Sequence, residues 1–347
     1  MKRIFCALLA AAMLFSLTAC GQTVQTEEKP SGATRTFTDS VGRQVEIPEH
    51  IEGIIPSGNM AMMFLWPLAA DKLVSVADKL TPEQAEYMGH RTDELPETGN
   101  LYKTGGTMNI EEVASLHADI MIDFGEPKAN IASDLDELQA LLGIPCVFIE
   151  GSLDTSADSY RMLGELLGME EQAEPLAQYI EAVLDKVNTV METAEKKSAV
   201  IFNGTDGLGC VVAGTYFDEV WSYMVQNAAV TEDAQMYSAT SINFEQLAAW
   251  DPEYIFYYNG ADPASAVDEA AWTSLRAVRE GKCLEVPRLP YYLVYPPTVN
   301  RYLAMIWLGC TVYPELFDWD LRAETEKFYS LFYNCTLTDE LYEKLMG

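Results

Sequence analysis

A chain of 347 residues, 49% of them hydrophobic, is long enough for two domains of ordinary size. Lys and Arg number 22 against 53 Asp and Glu, a formal net charge of −31. Such a surface repels nucleic acid and anionic lipid and suits a basic docking partner; an anion could enter only a pocket with its own local cations.

The first element is an export address. Lys2 and Arg3 precede an apolar run over residues 4–17, which ends at Leu17-Thr18-Ala19-Cys20. The run is short for a spanning helix, which needs roughly 20 residues, and it closes on small residues as a cleaved signal peptide does. The quartet resembles the bacterial lipobox, so residues 1–19 are expected to be removed and Cys20 to carry lipid. Residues 20–35 have the polar composition of a flexible tether. A lipid-anchored body outside the cytoplasmic membrane is expected, on a cell surface or in a periplasm.

Residues 36–47 alternate around an Asp-to-Gly turn and predict a small hairpin. Residues 51–55 predict a strand that turns through Pro56-Ser57-Gly58-Asn59 into a helix over 60–68. Further strands are expected at 73–77, 120–124 and 147–150, with helical segments between, which is the alternation of an open parallel α/β sheet. This first lobe spans 36–168. From 170 to 196 the apolar residues Ala173, Leu176, Ala177, Ile180, Val183, Leu184, Val187, Val190 and Met191 keep one buried stripe. The spacing predicts a single linking helix over 169–196, on the order of 40 Å long. Pro175 falls near its first turn, where proline is tolerated. A second α/β lobe over 197–347 follows, with strands at 198–202, 254–258 and 283–286.

The two lobes carry an internal echo. Asn109-Ile-Glu-Glu-Val-Ala-Ser-Leu-His-Ala-Asp-Ile-Met-Ile122 and Asn243-Phe-Glu-Gln-Leu-Ala-Ala-Trp-Asp-Pro-Glu-Tyr-Ile-Phe256 both read as a capped short helix feeding a buried strand. Each copy is expected to begin with a capping box and to place one carboxylate, Glu111 or Glu245, in an exposed first turn. Those two glutamates are matched acidic points, or simply stabilise helix starts.

After Cys6 and Cys20, the cysteines left are Cys146, Cys210, Cys283, Cys310 and Cys335. None forms a Cys-x-x-Cys pair, so neither a zinc knuckle nor a redox dithiol is indicated. His50, His90 and His117 are too few for capture of a bare zinc or manganese ion. His90 lies in a loop that could approach a cleft. No Gly-x-Ser-x-Gly elbow and no phosphate loop occurs, so the chain does not read as an enzyme and no cofactor is expected.

In open α/β sheets, ligands bind beyond the carboxyl ends of the strands. That rule nominates Ser57, Asn59, Asp123 with the two residues after it, Asn203 to Thr205, Gly214 to Tyr216, and Asn259. The loop 288–301 adds Arg288, Tyr291, Tyr292, Tyr295 and Arg301, suited to cation and aromatic contacts with a bulky conjugated anion. The alternative for the tyrosines is cover for an inter-lobe seam.

The lipobox, the Thr36-Phe-Thr-Asp-Ser-Val-Gly-Arg43 hairpin, Pro56-Ser-Gly-Asn59, the repeated Asn-x-Glu segments, Gly143-Ile-Pro-Cys-Val147, the long helix, and Trp272 through Gly281-Lys-Cys-Leu-Glu-Val-Pro287 together resemble the class III substrate-binding proteins of ABC importers. The resemblance implies two Rossmann-like lobes with mostly parallel sheets, joined by one long helix and closing slightly on a ligand. It implies a monomer whose Glu111 and Glu245 dock on arginines of a permease served by a cytoplasmic ATPase. The implied ligand is a bulky iron complex, a ferric siderophore first, with cobalamin or haem next and a metal oxyanion such as molybdate third. A ligand sensor or a lipid-anchored hydrolase are the rival classes.

Overall fold

The computed structural model describes residues 32–346 except 90, 103–105, 205–206 and 232–238. The signal peptide, Cys20, nearly all of the tether, His90 and Thr205 lie outside the described residues.

Strands β1 (Thr34–Thr38) and β2 (Gln44–Pro48) pair as the expected small sheet. The first lobe then runs β3 (Ile54–Pro56), α1 (Asn59–Ala69), α2 (Pro82–Met88), α3 (Ile110–Ser115), β4 (Ile120–Gly125), α4 (Ile131–Leu142), β5 (Cys146–Glu150) and α5 (Ser156–Leu167). Helix α6 (Glu170–Met191) leads into β6 (Ser198–Asn203), β7 (Gly209–Val211), α7 (Glu219–Met224), β8 (Gln226–Asn227) and β9 (Ala239–Ser241). The chain continues through α8 (Phe244–Trp250), β10 (Tyr254–Tyr258), α9 (Glu269–Ser274), α10 (Arg276–Arg279) and β11 (Cys283–Glu285). Helices α11 (Asn300–Val312), α12 (Leu321–Tyr333) and α13 (Asp339–Met346) complete it.

The first sheet has the order β3-β4-β5, all parallel. The second has the order β11-β10-β6-β7-β9, with β8 pairing to β6; the β6–β7 and β7–β9 pairs are antiparallel and the other pairs parallel. The strand expected at 73–77 is only an isolated bridge from Leu73 to Ile54 and another from Val76 to Glu97. Helix α6 is 22 residues long, about 33 Å, and ends five residues before the expected 196. Val190 and Met191, at its end, are half-buried, whereas the rest of the predicted stripe is buried.

Side-chain alternation divides each sheet into two faces. Met121, Cys146 and Phe148 face a core private to the first lobe, and Val200, Phe202 and Ile255 one private to the second. Their neighbours Ile120, Ile122, Val147, Ile149, Ala199, Ile201 and Phe256 all enter one common core. Burial on both faces explains the unbroken apolar runs that announced the strands.

That common core changes the picture of two bodies held apart by a rod. Residues Arg35–Gly347 form one compact unit. Helix α6 packs on α5 and α11, and α12, counted by sequence with the second lobe, returns to pack on α1 and α2. Phe332 of α12 meets Tyr160 of α5 and Tyr179 of α6. Tyr87 in α2 donates to the Leu341 carbonyl in α13 at 2.9 Å, and Lys344 pairs with Glu86.

Candidate functional site

The carboxyl ends of β3 and β4 open onto a cavity of about 480 Å³. Its walls include Ser57, Asn59, Asn100, Tyr102, Asp123, Glu126 and Lys128 from the first lobe, and Tyr216, Phe217, Tyr295 and the Pro296-Pro297 pair from the second. Beside it, sharing Tyr295, lies a smaller cavity of about 270 Å³ lined by Glu83, Gln84, Asn259, Arg288, Tyr291 and Tyr292 among others.

Helix α1 starts directly on the main cavity. Asn100 Oδ1 accepts the Asn59 N–H at 2.8 Å, and Met62 N–H already reaches the Gly58 carbonyl. The Met60 and Ala61 N–H groups find no acceptor among the described residues, as is usual for a first helical turn. Met60 and Ala61 are among the residues lining the cavity, at the positive end of the helix dipole, which favours a negative charge there. A Cβ at Gly58 would come within 2.8 Å of Asn100 Oδ1, so glycine keeps this approach open. The Asn59 amide donates to Asp78 at 2.5 Å, and its own Oδ1 is buried with no partner among the described residues.

Asp123 is buried at the end of β4. Its Oδ1 accepts the Ser57 hydroxyl at 2.5 Å and the Phe124 N–H at 3.0 Å. Burial raises its pKa, opposed by the Ser57 hydrogen bond, the Lys128 charge and a hydrogen bond with the Tyr102 hydroxyl. Lys128 sits over the Tyr102 ring with its ammonium 2.8 Å from the centroid. Desolvation lowers the Lys128 pKa, while Asp123 and Asp134 hold it up. Glu126 is raised by burial and by Glu219, with Arg301 opposing.

On the opposite wall a continuous set of rings runs from one cavity to the other. Phe217 meets Tyr216 at 5.6 Å and Tyr295 at 5.4 Å; Tyr295 meets Tyr291 at 5.8 Å and Tyr292 at 6.4 Å. Buried Asp218 holds the turn that presents Tyr216 and Phe217, accepting from the Gly214 N–H and the Asn227 amide, each at 2.8 Å.

Of the residues nominated from sequence, Ser57, Asn59, Asp123, Tyr216 and Tyr295 line the main cavity, and Arg288, Tyr291 and Tyr292 the smaller one. Arg288 is exposed and 3.5 Å from Glu83. Asn203 lines neither; it accepts the Asn259 amide at 3.0 Å. Arg301 needs correction as a ligand contact, because it is fully buried behind the cleft. It pairs with Glu219 and donates to the carbonyls of Thr298, Pro297 and Gly151 at 3.0, 2.9 and 3.1 Å. The sequence reading missed Tyr102, Lys128, Asn100 and Phe217. Lys128 was within reach of the strand-end rule, three residues beyond Gly125; Tyr102 follows a segment with no regular strand to flag it.

Glu111 and Glu245 are both exposed in the first turns of α3 and α8. Only the second copy has the full capping box, Asn243 and Gln246 each accepting from the other's N–H. In the first, Asn109 caps Glu112 N–H, but the Glu112 carboxylate takes the Asn109 side-chain amide, since the Asn109 N–H is bound to the Thr98 carbonyl. Among the described residues, no group of three His, Cys, Asp or Glu side chains could hold a metal ion, and no helix is long and apolar enough to cross a membrane.

The chain is 23% identical over 329 residues to the molybdate-binding protein MolA of Haemophilus influenzae, covering 87% of this chain and 91% of that one. It is 21% identical over 320 residues to the iron(3+)-hydroxamate-binding protein FhuD of Bacillus subtilis, covering 88% and 96%. Among solved structures, the ABC transporter solute-binding protein of Sulfurospirillum deleyianum superposes with a TM-score of 0.80 at 22% identity, over 90% of this chain and 98% of that one. The periplasmic binding protein family matches residues 58–288, two thirds of the sequence, and the chain belongs to that family.

Proposed function

We propose that this protein is the lipid-anchored, extracytoplasmic substrate-binding component of an ABC importer, and that it captures an anionic metal complex, a ferric siderophore before other classes. The observation that carries the reading is the cavity itself: about 480 Å³, roofed by Tyr216, Phe217 and Tyr295 and floored by the start of α1 and Lys128. Such a volume and such aromatic walls suit a drug-sized chelate, and the helix start with one ammonium supplies local positive charge in an otherwise acidic protein. FhuD, a relative of similar length, is named for binding an iron(3+) hydroxamate; three hydroxamates only neutralise the ferric ion, so this supports a metal chelate as ligand and says nothing for its negative charge.

A second reading is a bare oxyanion, favoured by the Met60 and Ala61 N–H groups, which have no acceptor among the described residues, at the start of a helix that shares the cavity with Ser57 and Lys128. MolA is named for binding molybdate. Titration with a ferric tris-hydroxamate, a ferric tris-catecholate, haemin, cobalamin and molybdate, followed by tyrosine and tryptophan fluorescence, separates the two. Saturable binding of the ferric tris-catecholate supports the first reading; binding of the uncharged tris-hydroxamate alone keeps a chelate but removes its negative charge, and response to molybdate alone replaces it with the second. For delivery, the Glu111→Arg/Glu245→Arg double variant should abolish cellular uptake and keep ligand affinity. Undiminished uptake would remove the docking role.

A further inference from the structure

The one ammonium that lines the main cavity, among the described residues, and the one carboxyl buried in its floor are joined through a single phenol. Tyr102 is hydrogen-bonded to Asp123 through its hydroxyl and carries the Lys128 ammonium on its ring face. We propose that this Asp123–Tyr102–Lys128 group couples capture of an anion to uptake of a proton: the anion takes Lys128 as its counter-ion, and Asp123, losing that counter-charge, binds a proton. The inference rests on the reading that the ligand is an anion.

Among the described residues, Lys128 is the cation whose charge acts on Asp123. From the β3 side it meets the Ser57 hydroxyl. From β5 it faces the Cys146 thiol, whose pKa burial pushes up to about 12 and which is neutral at physiological pH. From α4, Asp134 adds a second negative charge toward Lys128 and Tyr102. Glu126, on the same loop as Lys128, has Glu219, Glu150 and Arg301 as its charged neighbours. Arg301 is committed to Glu219 and to three carbonyls. A desolvated carboxyl with three hydrogen-bond donors and one shared cation depends on that cation to keep its charged form. An arriving negative charge tips it toward the neutral form, and linkage then requires affinity to rise as pH falls, by up to about tenfold per pH unit for one proton.

Calorimetry on the full chain in mild detergent, with molybdate and with a ferric tris-catecholate, tests this in buffers of differing ionisation heat. Wild-type protein should take up protons on binding the anion, reaching at most one per anion between the midpoints of the free and bound forms. Asp123→Asn should bind with no pH dependence from this source, and Lys128→Gln should bind more weakly. Tyr102→Phe removes a hydrogen bond that favours the carboxylate, so it should move the pH midpoint of uptake upward. Binding without proton uptake, or equal uptake in Asp123→Asn, overturns the proposal. A ligand-free arm follows the Lys128 side chain by NMR: Asp123→Asn should lower its titration midpoint, and an unchanged midpoint overturns the coupling. If neither anion binds, the anion reading and the proposal built on it both fall, and the ligand-free arm then shows whether the Asp123–Lys128 coupling exists without such a ligand.

Discussion

Arg301 shows how one residue can serve a binding site without touching the ligand. Its guanidinium reaches the Gly151 carbonyl and, at 3.3 Å, the Ser156 hydroxyl in the first lobe; Glu219, its ion-pair partner in the second, accepts the Leu153 N–H at 2.8 Å. The pair therefore pins the lobes together directly behind the Pro296-Pro297 wall, whose carbonyl at Pro297 it also binds. Removing one partner of a buried pair leaves the other uncompensated, typically at 3–5 kcal/mol. Glu219 keeps partial access to solvent, so Arg301→Met should cost about 3 kcal/mol in urea unfolding, the low end of that range. A loss under about 1 kcal/mol would mean the pin is dispensable. Asp123 makes a second prediction at this scale. Its folded pKa is raised, so its contribution to stability is fully present below the unfolded carboxylate value, roughly pH 4, and fades as pH rises through the folded value. Asp123→Asn should flatten that decline: relative to wild type the variant gains stability toward neutral pH and has no advantage in acid. Parallel stability curves for the two proteins would contradict the raised pKa.

Among the elements, α12 does what its place in the sequence does not suggest. Its Phe328, Tyr329 and Phe332 are buried against α1, α2, α5 and α6, so a helix near the chain's end completes the first lobe's core. Phe332→Ala should destabilise the protein by about 3–5 kcal/mol, the usual cost of deleting a buried ring. Urea unfolding checks this; a cost below about 1 kcal/mol would place α12 outside the essential packing. This return is also where sequence reasoning stopped. The strands and α6 were legible because period and run length are local properties: Ile120 and Ile122 alternate with Met121 whatever lies beyond them. So were the cap residues Asn109 and Asn243 and the strand-end positions Ser57 and Asp123. Which face of a terminal helix meets which lobe is set by tertiary packing, and α12 carries no local mark of its partner. Arg301 misled for the same reason: an arginine beside a tyrosine loop reads as exposed, and only the fold brings Glu219 and the Gly151 carbonyl to it. The reduction of the strand expected at 73–77 to isolated bridges is likewise tertiary, since Val76 bonds instead to the segment around Pro96 and Thr98.

For the molecule as a whole, the common core decides how the lobes can move and how they unfold. Ile120 and Ile122 of the first sheet and Ile201 and Phe256 of the second are fully buried in the same cluster, with α6, α11 and α12 crossing between them. Interiors packed at this density do not deform continuously, so large hinge opening would require breaking apolar contacts shared by both sheets. Small closure of the cleft, which Tyr102 and Lys128 line from one lobe and Tyr216 and Tyr295 from the other, is compatible with that core; separation of the lobes is not. The same argument fixes the unfolding behaviour, because a segment cannot open alone when its removal exposes its neighbour's core. Native-state hydrogen exchange should therefore give the β4 and β10 amides the same opening free energy, matching the global value from urea. Exchange of β10 at a free energy lower by more than about 2 kcal/mol, a substantial part of a typical total stability, would show that the second lobe opens on its own and that the shared core does not bind the two halves into one cooperative body.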